Sequence, residues 1–276
     1  MKISPDLVTA VVDLARRAGD AILSVYGSDE FDVQAKGDGS PLTRADRLAH
    51  ETIAAGLRTI TPSIPLMSEE SGPEAEGSRH RWRDYWLVDP LDGTKEFIKR
   101  NDEFTVNIAY VAEGRPILGV VWAPALGRGY AGSAAQGAWR FGAGGGREVI
   151  RVRGFDGGPA TVVASRSHRG EAVDAFLRSL TEQGVGTEVR SMGSSLKLCL
   201  VAEGVADVYP RLGPTSEWDT AAAHAVVEAA GGRVIDVDGR PLRYNKASIL
   251  NPWFLAVGGG DFPWHDCVPT ADSGPA

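Results

Sequence analysis

Apolar residues change their period along this chain of 276 residues, and that change limits the possible folds more than any other feature. At first they recur at helical spacing: Leu7, Val11, Leu14, Ala15, Ala18, Ile22 and Val25 behind a Ser4-Pro5 start. The spacing repeats at Ala45, Leu48, Ala49, Ile53, Leu57 and Ile60, after the turn formers Gly37-Asp38-Gly39-Ser40-Pro41. Two amphipathic helices are therefore predicted, over Ser4 to Val25 and Thr43 to Ile60. From Trp82 the chain is rich in β-branched and aromatic residues, in Tyr85 to Val88, Phe104 to Val111 and Ile117 to Trp122, with Glu113-Gly114-Arg115-Pro116 as a hairpin turn. Seven glycines between Gly142 and Gly158 flank a strand-like Glu148 to Val152 and mark the expected domain boundary. That boundary divides an α+β unit over 1–153 from an α/β unit over 154–276. The second unit reads as strand Ala160 to Ala164, helices Glu171 to Glu182 and Ser194 to Glu203, strand Asp207 to Tyr209, and a helix from Asp219 to Ala230 stopped by Gly231-Gly232. The tail from Pro269 is expected to fray.

Charge excludes one class of partner. Twenty-nine Lys and Arg against 36 Asp and Glu give a net charge of −7, so a nucleic-acid polymer cannot be held by bulk charge. With 43% hydrophobic and 24% charged residues the chain has the balance of a globular protein rather than a disordered one. No apolar run approaches the ~18 residues of a membrane span, and the N-terminus lacks the pattern of a signal peptide, so the cytoplasm is the expected location. Cys199 lies in an apolar run and reads as a core residue; neither a disulfide framework nor a Cys/His zinc site is expected.

Acidic residues carry the strongest chemical signal. Asp89-Pro90-Leu91-Asp92-Gly93-Thr94 follows the apolar Trp86-Leu87-Val88 directly, at the strand end where α/β sheets bind ligands. Pro90 fixes one dihedral and Gly93 permits a turn closed to other residues, so Asp89, Asp92 and the Leu91 carbonyl can be aimed at one point. Hard oxygen donors arranged this way suit Mg²⁺, although an ordinary Asp-Gly turn accounts for the same residues. Ser68-Glu69-Glu70-Ser71 stands at a second strand end and reads either as ligands or as a solvated turn. Asp219 reads as the cap of the helix it opens, or as a carboxylate beside a phosphate and its metal, and the two are compatible. Asp46 completes a capping box with Thr43. In the second half, Ser165-Arg166-Ser167-His168, the helix-opening Gly193-Ser194-Ser195 with Lys197, and Arg211 offer donors and charge for phosphates, or simply a soluble surface.

Glu69-Glu70-Ser71, Asp89 to Thr94 and Trp218-Asp219-Thr220-Ala221-Ala222 together resemble, in order and spacing, three signatures of the inositol monophosphatase-like, magnesium-dependent, lithium-sensitive phosphatases. The resemblance runs from about Val8 to Val257. Within that superfamily, Trp86 to Arg100 with Phe104 to Ile108, Ser165 to His168, Gly193 to Lys197 and Val201 to Gly204 are similar to the bacterial 3′(2′),5′-bisphosphate nucleotidases. The resemblance implies a layered αβαβα sandwich of the inositol monophosphatase/fructose-1,6-bisphosphatase type. It implies two or three Mg²⁺ ions and hydrolysis of a small nucleotide, adenosine 3′,5′-bisphosphate or its 5′-phosphosulfate form, a by-product route of sulfate assimilation. Its metal ligands would be Glu69, Asp89, Asp92, Asp219 and the Leu91 carbonyl. Thr94 would help Glu69 orient the attacking water, with Asp46 in hydrogen-bonding reach of Thr94. Ser194, Lys197, Arg211 and His168 would meet the nucleotide and its second phosphate, alongside Asp92, Gly93, Thr94 and Asp219. The metal motifs alone do not choose the substrate, so inositol or fructose phosphates stay open, as does a non-catalytic nucleotide-binding regulator. The resemblance also leaves open a homodimer and a peripheral association with the inner membrane.

Overall fold

A computed structural model describes residues 2–27, 34–35, 41–165 and 170–269. Helix α1, Pro5–Tyr26, begins where the Ser4 hydroxyl accepts from the Leu7 N–H at 3.2 Å, and it buries Val8, Val11, Leu14, Ala15, Ala18 and Ile22. Two short strands, β1 (Gln34–Ala35) and β2 (Pro41–Leu42), pair antiparallel ahead of α2, Arg44–Ile60. Both helices pack against each other and on one face of a seven-stranded sheet. Its strands run in chain order: β3 (Leu66–Ser68), β4 (Asp84–Asp92), β5 (Thr105–Ala112), β6 (Arg115–Ala123), β7 (Arg128–Ser133), β8 (Gly137–Gly142) and β9 (Arg147–Ile150). Helix α3 (Pro73–Ser78) precedes β4, and α4 (Thr94–Ile98) follows it.

The second sheet holds β10 (Ala160–Ser165), β11 (Thr187–Met192), β12 (Val208–Arg211), β13 (Arg233–Asp236) and β14 (Phe254–Val257), in the order β11-β10-β12-β14-β13. Helix α5 (Glu171–Glu182) covers its outer face; α6 (Leu196–Ala202) and α7 (Glu217–Ala229) lie between the two sheets. The layers are thus α1/α2, seven strands, α6/α7, five strands, α5, the αβαβα sandwich expected from the family resemblance. Helix α7 belongs to the second half of the chain yet packs along β4 to β8 of the first half's sheet. Such close packing needs bare backbone: a Cβ on Gly119 of β6 would sit 1.9 Å from the Ala222 carbonyl oxygen.

The structure differs from the sequence reading at several element ends. Strand β4 continues through Asp92 instead of stopping at Val88, and the hairpin turn is Glu113-Gly114 alone, because Arg115 and Pro116 already pair with Ala112 and Val111. Helix α6 starts at Leu196, two residues later than predicted, because Ser194 has a left-handed backbone (φ 46°) that helical geometry excludes. Helix α7 starts at Glu217 with Ser216, not Asp219, as its cap. The sequence reading contains no strand at β1, β2, β7, β8, β11, β13 or β14. Strands β7 and β8 are diluted by glycine, and β14 is a short, fully buried apolar run with no alternation to mark it. Cys199 and Cys267 are buried free thiols. Among the described residues, no helix is long and apolar enough to cross a membrane.

Candidate active site

Asp89 and Asp92 are three residues apart, a spacing that sends side chains to opposite faces of a regular strand. The ladder between β4 and β5 corrects this. Asp89 pairs with Asn107 and Asp92 with Thr105, so three residue steps on β4 match two on β5. This bulge returns both aspartates to one face. The Asp89 carboxylate stabilises it locally by accepting the Leu91 N–H at 3.0 Å. Gly93, with φ 90°, then turns the chain into α4.

Four carboxylates from three parts of the chain act on one another here. Asp89 is fully buried; burial first, then the charges of Glu69, Asp92 and Asp219 and a hydrogen bond with Glu69, hold its carboxyl well above the ordinary range. Asp219 rises to about 8, chiefly through burial and then the Asp92 charge, with the Ser216 N–H and Arg211 opposing. Asp92 is raised by burial, while Lys197 and the Ser195 N–H pull it down. Two carboxyls joined by a hydrogen bond require a proton between them, and the group around Asp89 is otherwise all negative. A hard divalent cation matches such an oxygen donor set. As placed, no three His, Cys, Asp or Glu side chains among the described residues close on a common point as a finished ligand cage. The fold brings these four within electrostatic reach of one another against their mutual repulsion, without a completed coordination geometry.

Asp219 is the third residue of α7, and its Oδ2 accepts the Ser216 N–H at 2.9 Å in a capping box. Asp219 is thus both the second member of the capping box and a carboxylate of the site, while the cap itself, read from the sequence as Asp219, is Ser216. Beside the carboxylates opens a cleft of about 440 Å³ walled by Asp92, Gly93, Thr94, Tyr209, Arg211 and Asp219. Ser194 and Lys197 line its continuation. Lys197 is fully buried, which lowers its ammonium to about 8 although Asp92 opposes that shift. Arg211 donates to the Pro214 carbonyl at 2.6 Å, and its Nε is buried without a hydrogen-bond partner among the described residues.

Two expectations need correction. The N–H groups of Gly193 and Ser195 are not open to an anion: they donate to Glu103 Oε2 at 2.7 Å and to Asp92 Oδ2 at 2.6 Å, because these carboxylates reach the turn first. Thr94 donates to the Leu91 carbonyl at 3.3 Å and not to Asp46. Asp46 instead accepts from the Thr43 N–H at 2.7 Å and the Thr43 hydroxyl at 2.6 Å, held at its own helix start by the capping box. His168 lies outside the described residues.

Sequence reading missed Thr105 and Asn107 and took Ser195 only as a donor to phosphate; all three are buried and bonded to Asp92 or to one another. The available signal was a polar residue at every second place in the apolar run Phe104-Thr105-Val106-Asn107-Ile108. It missed Glu217 as well, wholly buried and bound by the Asn245 and Lys246 N–H groups and by the Lys246 ammonium at 2.5 Å.

Residues 5–254 match the inositol monophosphatase family. The 3′(2′),5′-bisphosphate nucleotidase CysQ of Escherichia coli (strain K12) is 54% identical over 251 residues, covering 90% of this chain and 98% of that protein. Among solved structures, CysQ from Bacteroides thetaiotaomicron, described as a bacterial member of the same family, superposes with a TM-score of 0.81 at 41% identity, over 92% of this chain and 97% of that one. An IMPase from Thermotoga maritima gives 0.75 at 26% identity, over 92% of each chain.

Proposed function

The chain belongs to the inositol monophosphatase family, and on that premise we propose that it is a 3′(2′),5′-bisphosphate nucleotidase that hydrolyses adenosine 3′,5′-bisphosphate to AMP and phosphate with Mg²⁺. The same site would take the 5′-phosphosulfate form of that nucleotide. The observation that carries this reading is the buried Asp89 among Glu69, Asp92 and Asp219, the last two of which line a cleft that Lys197 and Arg211 also line. Negative charge on one side and positive charge on the other fit a cation plus a substrate with two anionic groups.

Glu69, Asp89, Asp92, Asp219 and the Leu91 carbonyl would hold two or three Mg²⁺ ions. When bound, Mg²⁺ supplies Lewis-acid charge neutralisation at the phosphate and activation of the attacking water. The rest falls to the chain itself. The bulge fixes Asp89 and Asp92 on one face, and the α7 capping box fixes Asp219, so the donors do not have to reorganise during reaction. Thr94, at the start of α4, would orient the attacking water with Glu69. Lys197 and Arg211 would hold the second phosphate, whose charge favours the protonated ammonium of Lys197. On this reading the enzyme acts in the cytoplasm, where sulfate assimilation releases the bisphosphate.

Phosphate release from adenosine 3′,5′-bisphosphate, inositol 1-phosphate and fructose 1,6-bisphosphate, each with Mg²⁺ and with a chelator, tests the proposal. The nucleotide should be the preferred substrate, and release should stop with the chelator. Preference for either sugar phosphate discards the substrate assignment; no release from any of the three favours a non-catalytic binder.

A further inference from the structure

Every hydrogen bond that Asp92 accepts from the described residues goes to one oxygen. Oδ2 receives the Ser195 N–H at 2.6 Å and the Asn107 amide at 3.4 Å, with the Thr105 hydroxyl oxygen 3.5 Å away, which leaves Oδ1 for the cleft that Asp92 lines. The three residues also bind one another. Ser195 Oγ donates to Asn107 Oδ1 at 2.8 Å, and Thr105 Oγ1 lies 2.9 Å from Ser195 Oγ. Proton accounting orders the set. The single Ser195 hydroxyl proton is used on Asn107, so Thr105 gives its own single proton to Ser195 at 2.9 Å rather than to the more distant Asp92 Oδ2. The Asn107 carbonyl is likewise occupied, so its NH₂ is the end that faces Asp92.

These residues join parts of the chain that are remote in sequence. Thr105 and Asn107 lie on β5, opposite the bulge of β4 that carries Asp89 and Asp92, whereas Ser195 is the residue before α6. The turn containing Ser195 also holds Ser194, in its left-handed conformation, and leads into Lys197. It is tied a second time to the first half of the chain through the Gly193 N–H and Glu103. Thr105, Asn107 and Ser195 are 0%, 1% and 2% exposed, so water does not compete for these bonds.

We propose that Thr105, Asn107 and Ser195 form one positioning lock. It fixes the rotamer of Asp92 for the divalent ion and, through the Ser195 backbone, fixes Lys197 for the second phosphate. The ion site and the phosphate site are then set together, because a displacement of the Gly193 to Lys197 turn also releases Asp92. The lock rests on the reading of Asp92 as a metal ligand made above. It assigns to these three residues no contact with the reacting atoms.

The test titrates Mn²⁺ into substrate-free protein by calorimetry, for wild type, Ser195→Ala, Asn107→Leu, their double variant, Thr105→Val and Thr105→Ser. Groups that orient a ligand cost about 10–100-fold in metal affinity when removed. Each of Ser195→Ala, Asn107→Leu and Thr105→Val should weaken Mn²⁺ binding by about that factor, while Thr105→Ser retains it. The double variant should be no weaker than the worse single variant, since the residues act as one unit. In steady-state kinetics Ser195→Ala should raise KM for the bisphosphate as well as lower kcat, because it loosens the turn bearing Lys197. Variants that are folded at the assay temperature and bind Mn²⁺ like wild type overturn the lock, as do losses that simply add in the double variant. Wild-type protein that binds no Mn²⁺ removes the metal assignment itself, a different failure read from a different sample.

Discussion

Asp89 concentrates the conflict that this site is built on. Burial and three like charges act against its ionised form, yet an ionised carboxylate is what a divalent ion needs. Asp89→Asn keeps the shape and removes the charge. It should reduce Mg²⁺-dependent phosphate release by more than about 100-fold, beyond what loss of a supporting group costs. In the metal-free state the same variant should melt at a higher temperature than wild type, because one of several repelling carboxylates is gone. Unchanged turnover in the purified variant would discard the metal assignment. A lower metal-free melting temperature would mean that Asp89 is held by favourable partners rather than repelled. The same scale explains Asp46: the capping box read with Thr43 is present, its Oδ2 taking the Thr43 N–H and hydroxyl, whereas the Thr94 hydroxyl donates to the Leu91 carbonyl.

Helix α7 is the element on which both core and site depend. It carries Asp219 at its N-terminus and crosses the seven-stranded sheet where Gly119 leaves room. Gly119→Ala should destabilise the protein by about 1–3 kcal/mol, measured by urea denaturation, since the new methyl meets helix backbone rather than a movable side chain. Activity should fall with it as α7 is pushed from the sheet. A wild-type denaturation midpoint would show that the layers are looser than they look. The same helix buries His224, whose imidazole lies between the Tyr244 hydroxyl at 3.0 Å and the Glu228 carboxylate at 3.3 Å. Burial lowers its pKa from 6.5, with Arg115 adding to that effect and Glu228 opposing it. The unfolded chain therefore takes up a proton before the folded one does. The contribution of His224 to stability should decline as the pH falls below 6.5, against the opposite contribution of the raised carboxyls of Asp89 and Asp219, so wild type should lose more stability on acidification than His224→Gln, or gain less. Glu228, lowered by His224 first, acts in the same direction at more acid pH. Identical slopes in the two proteins would remove His224 as the cause.

At the scale of the whole molecule, the site gathers carboxylates from β4, from the residue after β3 and from α7, so an ion bound as proposed would link segments that are remote in the chain. Mg²⁺ at a hundred times its Kd should raise global stability by about 2.7 kcal/mol per independent site, reversed by chelator. A melting temperature indifferent to Mg²⁺ would contradict the shared site. Much of this molecule was legible in one dimension. Helices α1 and α2 follow from 3.6-residue spacing with Ser4 and Thr43 as caps, and β4, β5 and β6 from their β-branched runs, because those signals are local and survive whatever packs against them. Asp89, Asp92 and Asp219 could be read as candidates because Pro, Gly and cap residues around them restrict the backbone within a few residues. Only the fold decided the rest. The bulge that puts Asp89 and Asp92 on one face depends on the register with β5, the glycines of β6 and β7 make sense only once α7 lies across them, and Ser195 meets Asn107 across 88 positions of sequence. Backbone preference and capping are written in neighbouring residues, whereas register, close approach and buried polar partners are fixed by contacts that do not exist until the chain has packed.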